Sequence, residues 1–255
     1  MPRPYILAET NWKHLKEESF DLAVLPWAAT EAHNYHLPYA TDTIEGTAIA
    51  EESARLAWEQ GCKVVVLPTI PYGVNTGQTD IYLDMNLNPS TQFAILKDLL
   101  TVLDRQGINK FMILNSHGGN NWKSMVRELG LLFPKMFICV TNWFQMVDKK
   151  DVFENPGDHA DEMETSLMLH LAPELVLPQK DWGDGKEFKN KIKAFSEGWA
   201  WTERPCQKSV RTPEWVIQTR PASKRAKYFS IWSAKKWESC SLILPKPISI
   251  NFTID

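Results

Sequence analysis

Within a dozen residues, Glu31-Ala32-His33-Asn34-Tyr35-His36-Leu37-Pro38 followed by Thr41-Asp42 gathers two histidines and two carboxylates. Two later segments repeat the theme: Asn115-Ser116-His117-Gly118-Gly119-Asn120 and His159-Ala160-Asp161-Glu162-Met163-Glu164-Thr165-Ser166. Four of the six histidines of the chain fall inside these three segments. Imidazole nitrogen and carboxylate oxygen together are the ligand set of hydrolytic zinc, manganese or iron sites. Glu31 and His33 are two apart, so in an extended segment they point to one side. Asp42 has two oxygens that can bridge a pair of ions. Two divalent cations held by Glu31, His33, Asp42, His117 and one further carboxylate would be nearly charge-balanced, as a buried site requires.

Such groups need a frame that delivers distant segments to one place. Short apolar runs alternate with amphipathic stretches, the pattern of strands joined by crossover helices. Residues 22–26, 64–67, 111–114 and 136–140 read as strands. Helices are expected over 41–60, with Asp42 or Thr43 as N-cap and Gly61 as its stop, over 90–107 with Ser90 as cap, and over 121–132. Repeated β-α units with right-handed crossovers predict an α/β fold, a mostly parallel sheet with helices on both faces. Glu31, His117 and Asn142-Trp143 then follow the first, third and fourth strands, on the rim where open α/β sheets bind ligands.

Composition narrows the partners. At 255 residues the chain can bury one large core. A net charge of -3 gives no electrostatic case for nucleic acid or an anionic membrane surface. No apolar window has the length of a signal peptide core or a membrane span, and Cys62, Cys139, Cys206 and Cys240 are scattered singly. A soluble cytoplasmic protein with a small-molecule substrate is expected.

The ordered set Glu31-x-His33-x-x-His36-Leu-Pro-x-x-Thr41-Asp42, then Asn115-x-His117-Gly-Gly-Asn120, then His159-Ala-x-Glu162-x-Glu164-Thr-Ser166 resembles the creatininase (creatinine amidohydrolase) family over roughly residues 20–205. The resemblance implies a three-layer α/β/α fold, two divalent ions per chain (zinc, manganese or iron), and hydrolysis of non-peptide, often cyclic, amide C–N bonds. It also implies a homo-oligomer, commonly a hexamer. Carried over residue by residue, Glu31 and His117 hold one ion, His33 the other, and Asp42 bridges them. The creatinine-cleaving members carry a glutamate ligand where this chain has Gly119, and lack an acidic residue at the position of Glu162. Glu162 is therefore expected to replace the missing ligand. The His-Gly-Gly form is shared with branches that deformylate purine- or pyrimidine-like intermediates or trim modified peptides, so the chain resembles the family without resembling a true creatininase. A catalytically inactive metal-binding relative is the alternative from a different class.

Further roles follow. His159 is the expected general acid for the leaving nitrogen, since a histidine passes protons near neutrality. Glu164 is read either with it in catalysis or as a carboxylate orienting the start of a helix. Asn75 stands where the family often has a serine near the substrate. Trp143 is a candidate to cover the substrate, with packing as the rival reading. His36 is expected to orient Glu31 or its loop. The pattern divides the chain into a metallohydrolase domain over 1–210 and an atypical tail over 211–255. In the tail, Arg211-Thr-Pro-Glu-Trp-Val-Ile-Gln218 keeps neither helical nor strand periodicity. Reading its codons two nucleotides later permits a glycine-rich turn and then a helix in family order, so the tail is read as a frameshift product, with an ordinary divergent extension as the rival.

Overall fold

The computed structural model describes residues 2–146, 148–154, 157, 159–182 and 192–203. The expected tail over 211–255 lies outside them. Among the described residues four strands, β1 (Leu22–Trp27), β2 (Val64–Val66), β3 (Lys110–Asn115) and β4 (Phe137–Asn142), form one sheet in the order β2-β1-β3-β4. Every pairing is parallel. Between two short turns of helix, α1 (Trp12–Leu15) and α6 (Lys193–Ser196), the longer helices described are α2 (Thr41–Glu59), α3 (Pro89–Arg105), α4 (Lys123–Leu132) and α5 (Glu162–Leu171).

The period-two alternation of β1 sends its side chains to two cores. Leu22 and Val24 join Ile49, Ala50, Ala54, Met163 and Leu167, the buried faces of α2 and α5. Ala23, Leu25 and Trp27 join Leu96, Leu100, Met125 and Leu129 from α3 and α4. The result is three layers, helix–sheet–helix, with β1 buried along its whole length. Pro26 is tolerated in this central strand because β2 pairs only as far as Val24–Val66. Beyond that point the Pro26 carbonyl accepts from Ile70, on the side where a missing N–H would have pointed.

Helix ends differ in detail from the expectation. Gly61 and Gly107 do end α2 and α3, at φ 82° and 80°. Neither Asp42 nor Thr43 caps α2: the N-cap is Ala40, and Asp42 lies inside the first turn with its carboxylate turned to the interior. Ser90 does not cap α3 either, because Pro89 already occupies the first turn after Asn88.

Candidate metal centre

The segment after β1 carries Glu31 (2 % exposed) and His33 (0 %) into the interior beyond the carboxyl end of the strand. The turn that follows places Asn34 at φ 52°, and Ala160, beside His159, sits at φ 47°. Left-handed conformations in buried non-glycine residues cost about 1–3 kcal/mol each and persist where the surroundings fix them. Both flank a histidine of the cluster.

His117 comes from the turn after β3. Its Nε2 lies 3.0 Å from the Val74 carbonyl oxygen. A carbonyl only accepts, so Nε2 carries the proton and Nδ1 is the nitrogen that faces Glu31 Oε1 at 2.9 Å and Asp42 Oδ2 at 3.2 Å. Gly119 makes this possible. A Cβ there would run into the Val74 carbonyl oxygen and His117 Nε2, the two atoms of that bond. Crowding, not a left-handed backbone, therefore bars any larger residue at 119.

Asp42 is the shared member. Its Oδ1 lies 3.1 Å from His33 Nε2 while Oδ2 turns to His117. Ser116 Oγ donates to the Asp42 carbonyl at 2.7 Å and itself accepts from Trp143 Nε1 at 2.8 Å. Trp143 is thus a buried residue of the core beneath the site and is not among the residues lining the cavity. Its burial and its bond to Ser116 are those of the packing reading of Trp143.

The third segment departs from expectation. Asp161 caps α5, its Oδ1 accepting from the backbone of Met163 at 2.9 Å and of Glu164 at 3.1 Å, so Glu162 is the first helical residue. Two residues along a helix turn the side chain by about 200°. Glu164, not Glu162, therefore joins the cluster: its carboxylate groups with His33 and Asp42, while Glu162 is buried elsewhere and belongs to none of the three ligand groups found among the described residues. His159 packs against His33 with ring centroids 4.1 Å apart and the ring planes tilted by 33°. Its Nε2 donates to the Ala32 carbonyl at 2.8 Å, leaving Nδ1 toward Glu31 Oε1 at 3.9 Å. His36 does not reach Glu31; it bonds Thr165 Oγ1 at 2.8 Å and stacks on Trp182, tying the loop to α5.

The ligand groups are Glu31–Asp42–His117, His33–Asp42–Glu164 and Glu31–His33–His159, each with its donor atoms within 4.8 Å of one another. Burial alone would raise the Glu31 carboxyl, but the charges of His117, His159 and His33 hold it well below the usual carboxylate range. Burial opposes a charged His33, yet Asp42 first, then Glu164 and Glu31, raise it to about 10. His117 is likewise raised against its burial, by Glu31 and Asp42. Glu164 is raised by burial, with His33 opposing. Without ions the cluster thus pairs buried imidazolium with carboxylate, and Asp42 Oδ2 and Glu164 Oε2 make no hydrogen bond. Nitrogen and oxygen donors aimed at a common centre fit divalent cations. The three carboxylates would leave two such ions within one charge of neutrality.

A cavity of about 750 Å³ opens over the cluster, lined by Glu31, Asp42, His117, His159 and Glu164 and by the polar residues Asn75, Thr76, Gln78, Asn121 and Gln145. Asn75 donates to the Met85 carbonyl at 3.1 Å, and its Oδ1 is buried without a partner. Three residues escaped the sequence reading. Gln78 donates to Glu31 Oε2 at 2.5 Å. Asp84 accepts from the Ala32 N–H at 2.7 Å and is raised to about 6 by burial. Glu45 is fully buried with neither oxygen bonded, and burial, then Glu164 and Asp42, raise it well above the carboxylate range. Glu45 had a signal, one helical turn from Asp42; Gln78 and Asp84 had none.

The profile of the creatinine amidohydrolase family matches residues 8–216. A crystallised Bacteroides fragilis protein, a candidate creatinine amidohydrolase, superposes with a TM-score of 0.86 at 36% identity, covering 92% of this chain and 94% of its own. The 3-dehydro-scyllo-inosose hydrolase of Thermotoga maritima is 29% identical over 186 residues, 66% of this chain and 55% of that protein. The mycofactocin precursor peptide peptidase of Mycobacterium tuberculosis is 28% identical over 179 residues, 64% of this chain and 62% of the peptidase. The match thus spans little more than half the length of these curated relatives. With the three motifs gathered into one buried cluster, the chain belongs to the creatininase (creatinine amidohydrolase) family.

Proposed function

We propose that this protein is a hydrolase that uses two divalent cations, zinc, manganese or iron, to cleave a non-peptide amide C–N bond. The observation that carries the reading is Asp42, whose two oxygens divide between His33 and His117 and so join two ligand groups. One ion would be held by Glu31, Asp42 and His117, the other by His33, Asp42 and Glu164, with Glu164 in the role first expected of Glu162. A pair of divalent ions supplies acidification of a water molecule and polarisation of a carbonyl oxygen. The chain supplies the rest. His159, with Nε2–H fixed on Ala32, keeps Nδ1 toward the cavity to take a proton and deliver it to the leaving nitrogen. Asn75, a residue of the cavity wall, is placed beside the substrate.

A deformylase or peptide-trimming activity is the second reading, favoured by the volume and polar lining of the cavity, about 750 Å³. The exposed Tyr82 and Leu83, on the loop held by the Tyr39 hydroxyl, support assembly into a homo-oligomer, a hexamer by the family resemblance. Elemental analysis after metal loading should return about two ions per chain. The loaded protein should then turn over a member of a panel of cyclic amides, formamides and short peptides. No bound ion would sink the reading, and bound ions without turnover of any member of the panel would favour the inactive metal-binding relative.

A further inference from the structure

We infer that Gln78 is a positioning residue that holds Glu31 as a one-oxygen ligand and so sets the affinity of the ion shared with Asp42 and His117; the inference rests on the two-ion reading above. The two carboxylate oxygens of Glu31 are used differently. Oε1 faces the cluster, 2.9 Å from His117 Nδ1 and 3.9 Å from both His33 Nε2 and His159 Nδ1. Oε2 is taken by the Gln78 side-chain nitrogen at 2.5 Å. The carboxylate is acceptor-only at neutral pH, so the amide must present its NH₂ and its orientation is settled by chemistry. A hydrogen bond to an ionised acceptor is worth more than one to a neutral acceptor, and it removes Oε2 from competition for the ion.

The loop that carries Gln78 is registered on the Glu31 segment at several points. Gln78 closes a 3₁₀ turn, Thr76–Gln78, whose backbone bonds Gln78 N–H to the Asn75 carbonyl at 3.0 Å. Met85 N–H reaches the Thr30 carbonyl at 3.0 Å, Asp84 holds Ala32 N–H at 2.7 Å, and the Tyr39 hydroxyl holds the Tyr82 carbonyl at 2.7 Å. With the Thr30 hydroxyl donating to the Pro71 carbonyl at 2.7 Å, Gln78 is delivered to Oε2 by contacts on both sides of it. A neutral amide suits the place, because it satisfies an oxygen without adding a charge that would repel a cation. Gln78 and Asn75 also line the cavity, so the same loop meets substrate on one side and a metal ligand on the other.

The test is titration of the metal-free full chain with Mn²⁺ alone, wild type beside Gln78→Met, which keeps the volume and removes the donor. The ion of the Glu31–Asp42–His117 group should bind roughly 10–100-fold more weakly, the range found when a partner of a metal ligand is removed. The ion of the His33–Asp42–Glu164 group, which excludes Glu31, should bind as in wild type, and circular dichroism should show an unchanged fold. A crystal structure of the manganese-loaded variant should show both Glu31 oxygens on the ion. Unchanged affinity for both ions, equal weakening of both, or single-oxygen ligation by Glu31 in the variant would each overturn the inference. Failure of wild type to bind manganese at all would instead strike the two-ion reading, and this inference with it.

Discussion

The two ligand groups that meet at Asp42 are built to different standards. In the Glu31–Asp42–His117 group the atoms not aimed at the centre are already engaged. Gln78 holds Glu31 Oε2, the Val74 carbonyl holds His117 Nε2, and Ser116 holds the backbone of Asp42. In the His33–Asp42–Glu164 group, His33 Nδ1 lies 3.3 Å from the Glu31 carbonyl oxygen, but Glu164 Oε2 is buried without a bond, and Glu45 nearby leaves both oxygens unbonded. A group whose outer atoms are fixed is preorganised for an ion, whereas one with unsatisfied carboxylates depends on the ion to make its burial tolerable. The first should therefore be the tighter site and the second the more easily emptied.

The largest effect expected is the selective loss of one ion. Glu164→Gln should abolish tight binding in the second group and reduce metal stoichiometry from about two to about one per chain, because a neutral amide leaves the local positive charge uncompensated. Glu162→Gln should change neither the count nor the affinity. Elemental analysis of the two variants decides between the residues, and the opposite pattern would restore Glu162 as the ligand.

Gly119→Ala attacks the preorganised side. Its methyl group would meet the Val74 carbonyl oxygen and His117 Nε2, so the bond that aims Nδ1 must break. Affinity of the first group is expected to fall roughly 10–100-fold, read by isothermal titration, with the second group spared. The same geometry argues against restoring a ligand by Gly119→Glu.

Proton competition should distinguish the groups less strongly. His33 is raised to about 10 by its carboxylate neighbours, and His117 is raised as well. Both are protonated without metal at neutral pH, so binding must expel protons. Affinity should climb with pH through about 10, where His33 gives up its proton. For the metal-free fold the sign is opposite. The raised His33 adds stability that is complete below its unfolded value and is lost as pH rises through about 10. Titrations in buffers of different ionisation enthalpy would expose an absence of proton release.

Glu45→Gln should have the smallest effect. A buried carboxyl raised above its unfolded value stabilises the fold at low pH and loses that contribution as pH rises through its folded value. In chelator, the variant should melt higher than wild type at pH 8 and equally near pH 4. The shift should be about 2–4 °C for each kcal/mol relieved. Equal melting at pH 8 would mean that Glu45 is compensated in the wild-type fold.

Local pattern carried much of this molecule. Four apolar runs and the intervening helical periods sufficed for the parallel sheet, because strand and helix periods are properties of consecutive residues. The spacing of Glu31, His33, Asp42 and His117 at strand ends and a helix start likewise made the cluster legible. What the chain could not announce depends on rotation and on contacts across long separations. Asp161, by capping α5, decided that Glu164 faces the cluster and Glu162 does not. Burial beneath Ser116 favoured packing over cover for Trp143. Gln78 lies 47 positions from Glu31, in a loop without periodicity. A hydrogen bond there is fixed by where the fold lays that loop, which no run of neighbouring residues records.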